Sequence, residues 1–275
     1  MKAAAFDYMR PRDLGEVLAA LQGEHAMAKL LAGGQSLLPM LNLRLARPTL
    51  LIDVARLDAL RAIEDRGAHV RIGAAVTHAQ IEDADGALGG GAMLVEVAAG
   101  IAYRAVRNRG TIGGSLAHAD PAGDWPLALA ALGADVVLRG PAGERTISAG
   151  RLITAAFTTE IKDDEVATAV LVPKLSGSAR FGYFKFCRKT GEFPDASAAV
   201  VVDPDRRATR VYLGALSGPP QPLPDLARRI AEDGHASVIR ETVAEAVATV
   251  AGLDPIDRRM HAGALLRALE RAFVR

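Results

Sequence analysis

A chain of 275 residues, half of them hydrophobic, is long enough to form two or three compact units, each with its own buried core. Its 33 basic and 32 acidic residues leave a formal charge of +1, without the clustered basic excess that nucleic-acid binding requires. The single cysteine, Cys187, excludes an internal disulfide and a cysteine-ligated iron–sulfur cluster held by this chain alone.

In chain order, Asp13 is placed to cap a first helix, with Glu16 three residues on and Leu14, Val17, Leu18 and Leu21 as its apolar stripe, ending at Gly23. The apolar run at Met1–Phe6 before it is too short for a signal peptide. Residues 28–31 read as a buried strand, 37–43 as a short helix with Pro39 in its first turn, and 50–54 as the next strand, a β-α-β unit. Residues 69–73 alternate like a half-buried strand, and Thr77 with Gln80 has the spacing of a capping box. Helix is expected over 93–99 and 125–132, and strand over 134–139 and 166–172. The longest apolar tract, 126–138, is broken by Asp135 and falls short of a membrane span, so a soluble, cytoplasmic protein is expected. Residues 173–178 form the clearest linker. Three strand-like runs follow at 181–188, 198–202 and 211–216, with Cys187 as a small strand residue, and then helices at 226–232, 238–250 and 257–273. Strands first and helices second imply helices on one face of an antiparallel sheet.

Two glycine-rich loops interrupt this pattern, Ala32-Gly33-Gly34-Gln35-Ser36 and Thr111-Ile112-Gly113-Gly114-Ser115, each leading into a helix. Paired glycines admit positive φ and close backbone approach to a ligand. Bare N–H groups at a helix start make a concave anion site. Two such loops can clasp a diphosphate from both sides, which points to a nucleotide cofactor. Neither loop is a G-x-G-x-x-G or a G-x-x-x-x-G-K-[ST] motif. The hydroxyls of Ser36, Thr111 and Ser115 add donors to the backbone.

The pair AGGQS and RNRGTIGGSLAHADPAGD resembles the FAD-binding medium subunit of molybdenum hydroxylases, the carbon monoxide dehydrogenase and xanthine dehydrogenase group, and the likeness runs from Phe6-Asp7-Tyr8 to Phe184-Lys185-Phe186-Cys187-Arg188. The resemblance implies an α+β fold. Two α/β FAD-binding subdomains of the PCMH type (1–55 and 56–175) precede a C-terminal domain (176–275) with a three-stranded antiparallel sheet and a helical bundle. It implies FAD contacts from Lys29, Ala32, Gly33, Gly34, Gln35, Ser36, Leu37, Thr111, Ile112, Gly113, Gly114, Ser115, Ala117, Asp124, Lys185 and Phe193. Asp124 would stand near the adenosine ribose or a flavin-chain hydroxyl; its residue type also suits a helix N-cap before Trp125-Pro126. Lys185 would touch the flavin, where a cation raises the potential; otherwise it is a strand lysine facing water. Lys29 similarly adds charge beside the first loop or is simply solvated, and Phe193 sits on a loop that would gate the flavin face. Asp120, before Pro121, reads as a turn former.

His118 and Asp120 are too few ligands for a metal site, and no Ser–His–Asp or paired-carboxylate pattern stands out, so neither metal-ligating nor catalytic side chains are assigned. The resemblance implies partners: a large molybdopterin-binding subunit and a small [2Fe–2S] subunit, assembled as a dimer of heterotrimers. Electrons would pass through FAD to a quinone, NAD or oxygen. A free-standing FAD oxidoreductase of the same fold, acting directly on a small molecule, is the alternative; a non-catalytic nucleotide-binding protein is a third possibility, and both intact glycine loops argue against it.

Overall fold

The computed structural model describes residues 2–23, 27–84, 88, 91–237 and 239–274; Met1 and Val238, both used above, lie outside the described residues. Strand β1 (Asp7–Met9), helix α1 (Leu14–Gln22), β2 (Ala28–Leu31), α2 (Leu37–Asn42) and β3 (Leu50–Asp53) form a parallel sheet of order β1-β3-β2. Parallel neighbours need crossovers, and α1 and α2 supply them. Asp13 caps α1 as expected, its carboxylate accepting from the Glu16 N–H at 2.9 Å. Val17, Leu50 and Ile52 anchor the apolar cluster beneath this sheet. The first glycine loop leaves the carboxyl end of β2, the edge at which open α/β sheets bind ligands.

The second unit contains β4 (Ile63–Asp65), β5 (His69–Gly73), α3 (His78–Glu82), α4 (Ala92–Gly100), α5 (Arg104–Arg107), α6 (Ile112–His118), α7 (Asp124–Leu132), β6 (Asp135–Gly140), β7 (Gly143–Ser148), α8 (Ala149–Leu152), β8 (Ile153–Ala155), β9 (Thr158–Thr159) and β10 (Val166–Pro173). Its main sheet is antiparallel, ordered β4-β5-β10-β6-β7. The capping box of Thr77 and Gln80 opens α3 as its spacing predicts. Every residue of α7 is buried, the fate of a helix that is apolar all round. The tract 126–138 is therefore α7 followed by β6, and among the described residues no helix is long and apolar enough to cross a membrane.

The last part is β11 (Arg180–Phe186), β12 (Ala196–Asp203), β13 (Ala208–Gly214), β14 (Gln221–Pro222), α9 (Pro224–Asp233), α10 (Arg240–Ala248) and α11 (Pro255–Val274). The three expected strands pair antiparallel, and the two-residue β14 adds an edge. Cys187 lies just past the end of β11 rather than within it. Strand β12 is buried along its whole length. Ala196, Ala198 and Val200 join the cluster under α9, α10 and α11, while Ala199 and Val201 join the cluster around α7. Helices thus cover both faces, not one: a run apolar on both sides of the pleat must be covered twice. The linker after β10 is pinned, with the Ser176 N–H and hydroxyl donating to the buried Asp203 carboxylate at 2.9 and 2.6 Å.

Candidate functional site

The two glycine loops touch. A Cβ built on Gly33 would lie 2.2 Å from the Arg109 carbonyl oxygen and 2.7 Å from the Gly110 Cα, and one on Gly114 would lie 3.5 Å from the Ala32 Cβ. Only glycine permits the first of these approaches, because the obstacle is backbone and cannot swing aside.

The loops differ in what they offer. In the first, Gly34 takes a φ of +72°, and the backbone N–H groups of Gly33, Gly34, Gln35 and Ser36 donate to no acceptor among the described residues. Such a row of open donors at the mouth of a helix is an anion cradle. Ser36 stands at the N-cap of α2 with its side chain uncommitted, Leu37 is the first helical residue, and the Gln35 amide donates to the Gly33 carbonyl at 3.2 Å.

The second loop is fastened instead. Ile112 donates to the Val76 carbonyl at 3.1 Å, Gly113 to Ala74 at 2.9 Å, and Ser115 to Thr111 within the first turn of α6. Ala74 in turn donates to the carbonyl of Thr168, at the bulge of β10 between Ala167 and Ala169, so the main sheet sets the loop's position. Gly114 donates to the Thr111 Oγ1 at 3.1 Å, a side-chain bond that a competing anion can displace. This corrects the symmetrical clasp expected from the sequence: the run of open backbone donors belongs to the first loop, and the second contributes a wall, its hydroxyls, the Thr111 N–H and one exchangeable N–H, that of Gly114. Ala117 is exposed on α6, and Lys29 is exposed on β2, its ammonium making no hydrogen bond or ion pair among the described residues.

Asp124 and Lys185, 61 residues apart, meet in a buried cluster. Asp124 is the first residue of α7, with Gly123 at the N-cap, so the cap expectation is corrected by one position. Its residue is 7% exposed, and its Oδ1 accepts from the Tyr183 hydroxyl at 2.6 Å. The Lys185 ammonium lies 3.1 Å from Oδ1 and donates to Oδ2 at 3.2 Å. The water-facing alternative for Lys185 is thereby overturned. Burial pushes the Asp124 carboxyl up, opposed by the Lys185 charge and the Tyr183 bond, and burial beside Asp124 pushes the Tyr183 phenol well above its ordinary value. Sequence reasoning missed Tyr183, although its place two residues before Lys185 on a strand puts both on one face.

Phe193 is 64% exposed on a loop seated against the segment after α4: a Cβ on Gly191, at φ +90°, would lie 2.6 Å from the Ala102 carbonyl oxygen. That segment is held by Arg107, which donates to the carbonyls of Ile101 and Ala102 at 2.9 Å and pairs with Glu82. Tyr103, beside it, is also exposed. Asp120 closes the expected turn, accepting from the Ala122 N–H at 2.9 Å.

Behind the second loop lies His78, 6% exposed, its Nδ1 accepting from the Trp125 Nε1–H at 3.0 Å. Burial, aided by the Arg107 charge, pulls its pKa down from 6.5 to about 4. The folded state therefore holds neutral imidazole, while the unfolded chain takes up a proton below pH 6.5. Stability from this group is complete above pH 6.5 and is lost as pH falls through about 4. The expected loss over that window is about 3 kcal/mol in urea titrations. His78→Gln should flatten it; an unchanged acid limb would assign the pH dependence elsewhere.

The fold and the glycine cradle define a site for an anionic ligand, and comparison with known proteins makes the class specific. Residues 4–175 match the family described as the FAD binding domain in molybdopterin dehydrogenase. The chain is 36% identical to the 6-hydroxypseudooxynicotine dehydrogenase complex subunit alpha of Paenarthrobacter nicotinovorans, over 98% of this chain and 91% of that one. It is 40% identical to the carbon monoxide dehydrogenase medium chain of Hydrogenophaga pseudoflava, over 72% and 69% respectively. Among solved structures, the carbon monoxide dehydrogenase of Hydrogenophaga pseudoflava lacking the Mo-pyranopterin moiety superposes with a TM-score of 0.91 at 32% identity, covering 100% of this chain and 99% of that one. The chain belongs to the FAD-binding medium subunits of the molybdenum hydroxylases, a family of oxidoreductases, and its cofactor is FAD.

Proposed function

We propose that this chain relays electrons from [2Fe–2S] clusters on a small partner subunit, through FAD, to an external acceptor such as a quinone, NAD or oxygen. In this reading a large molybdopterin-binding subunit completes the complex, which assembles as a dimer of heterotrimers in the cytoplasm. The observation that carries the cofactor site is the row of open N–H groups from Gly33 to Ser36, held against the second loop by the Gly33–Arg109 approach. With one cysteine, the chain cannot supply a four-thiolate cluster site, so a cluster of that kind must reside on a partner. The relatives named as a medium chain and as a subunit of a complex support the same arrangement.

Bound FAD supplies the redox chemistry. The N–H groups of Gly33, Gly34, Gln35 and Ser36 hold the diphosphate, with hydroxyls from Ser36, Thr111 and Ser115 and the exchangeable Gly114 N–H beside them. Ala32, Leu37, Ile112, Gly113 and Ala117 shape the walls, and Lys29 adds charge at the strand end. Asp124, Lys185 and Phe193 lie toward the flavin. With this goes a division at 55/56 and 175/176, which the buried clusters run across: Leu57, Leu60 and Ala75 pack with the first sheet, and Tyr183, Ala199 and Val201 pack with α7.

The expected result is a purified chain with the two visible flavin bands, releasing FAD on denaturation. Those bands should bleach when a reduced [2Fe–2S] partner is added and return on exposure to the acceptor. A colourless chain that takes up no added FAD would remove the cofactor site. A flavin that an iron–sulfur partner never reduces, but a small substrate does, would favour the free-standing oxidoreductase.

A further inference from the structure

The cluster of Asp124, Tyr183 and Lys185 joins the amino end of α7 to β11 and is closed to solvent on most sides. Both carboxylate oxygens of Asp124 already have partners within the chain, Oδ1 with the Tyr183 hydroxyl and Oδ2 with the Lys185 ammonium. A sugar diol would have to compete with a phenol and a cation for those lone pairs. Among the described residues the Lys185 ammonium has one ion-pair partner, Asp124. Lys185 runs past the end of α4, where a Cβ on Gly100 would lie 3.9 Å from its Cε. It therefore sits beside the Ile101–Ala102 segment that seats the Phe193 loop.

Resting on the FAD reading above, we propose that Asp124 is the counter-ion of Lys185 at the flavin, and that Tyr183 is the positioning residue that holds its carboxylate. The pair brings net zero charge to the flavin, so intact it leaves the midpoint potential close to that of a site with neither charge, and the loss of one partner moves it. A lone lysine there would raise the potential, because reduction adds negative charge to the cofactor; the carboxylate cancels that effect. Removing one partner of a buried pair leaves the other uncompensated, so the two single variants act with opposite signs. Tyr183→Phe keeps the charge count. It takes a donor from the carboxylate, which then holds a proton more readily, and so shifts the potential weakly in the same sense as Asp124→Asn.

The test is a redox titration of the FAD-loaded full chain for wild type, Asp124→Asn, Lys185→Met and the double variant, with FAD dissociation constants measured alongside. Expected are a positive shift for Asp124→Asn, a negative shift for Lys185→Met and a double variant close to wild type. The Lys185→Met shift should shrink as pH falls and the buried carboxyl takes up a proton. An unchanged potential in Asp124→Asn with a raised dissociation constant would make Asp124 a ligand anchor and overturn the proposal. So would shifts that fail to cancel in the double variant, which also decides the matter against Lys185→Met if Asp124→Asn does not fold. Wild type that takes up no FAD would remove the functional reading and this inference together; the other contrary results remove the inference alone.

Discussion

Gly33→Ala is expected to weaken FAD binding about ten- to hundredfold while leaving the fold in place. The added Cβ would meet the Arg109 carbonyl oxygen at 2.2 Å and its carbon at 2.7 Å, so the two loops must part. Overpacking of this kind costs about 1–3 kcal/mol, and each 1.4 kcal/mol is about tenfold in affinity. Gly33 lies in a loop outside the helices and strands, so the far-UV circular dichroism should hold, while the melting transition falls by an amount that reflects the same overpacking cost. Gly34→Ala is the informative comparison. Its φ of +72° brings backbone strain, but the atoms nearest its Cβ would be side-chain atoms of Leu38 and Leu31, at 3.1–3.3 Å. Leu38 is exposed and free to move, so the loops stay together. A larger affinity loss for Gly34→Ala than for Gly33→Ala would show that the contact between loops does not shape the cradle.

Trp125→Ala should cost about 3–5 kcal/mol of unfolding free energy in urea, the range for truncating a large buried aromatic. Trp125 is fully buried at the start of α7, the helix that lies between the main sheet and β12. Its loss also strips the Trp125 Nε1–H from the His78 Nδ1, leaving a buried acceptor unpaired. Against a total stability of about 5–15 kcal/mol this leaves a marginal protein. Trp125→Phe retains most of the volume and should lose less than half as much. A Trp125→Ala variant within about 1 kcal/mol of wild type would mean that the site around α7 collapses to fill the space.

Much of this molecule is legible in one dimension. The Asp13 cap, the Thr77–Gln80 capping box and the apolar run 198–202 each carry a local signal, and each folds as its spacing predicts. The short edge strands β1, β4 and β14 do not, because two or three residues carry too little periodicity to stand out. The site follows the same division. Paired glycines announce a close backbone approach, yet nothing in Thr111–Ser115 reveals that Val76 and Ala74 will consume the N–H groups of Ile112 and Gly113.

The sequence by itself determined the two glycine loops, the helix caps, the absence of a thiolate set for a cluster, and the family to which the chain belongs. These are matters of residue type and local spacing, where backbone freedom and side-chain chemistry act within a few positions. Only the tertiary structure decided which loop keeps the run of open donors, that Gly33 abuts Arg109, and that Asp124 meets Tyr183 and Lys185. Those outcomes depend on burial and on contacts across 59 to 76 positions of sequence, the first between Asp124 and Tyr183 and the second between Gly33 and Arg109. Burial is what makes them consequential, since a charge or a donor taken from water must find its partner inside the protein.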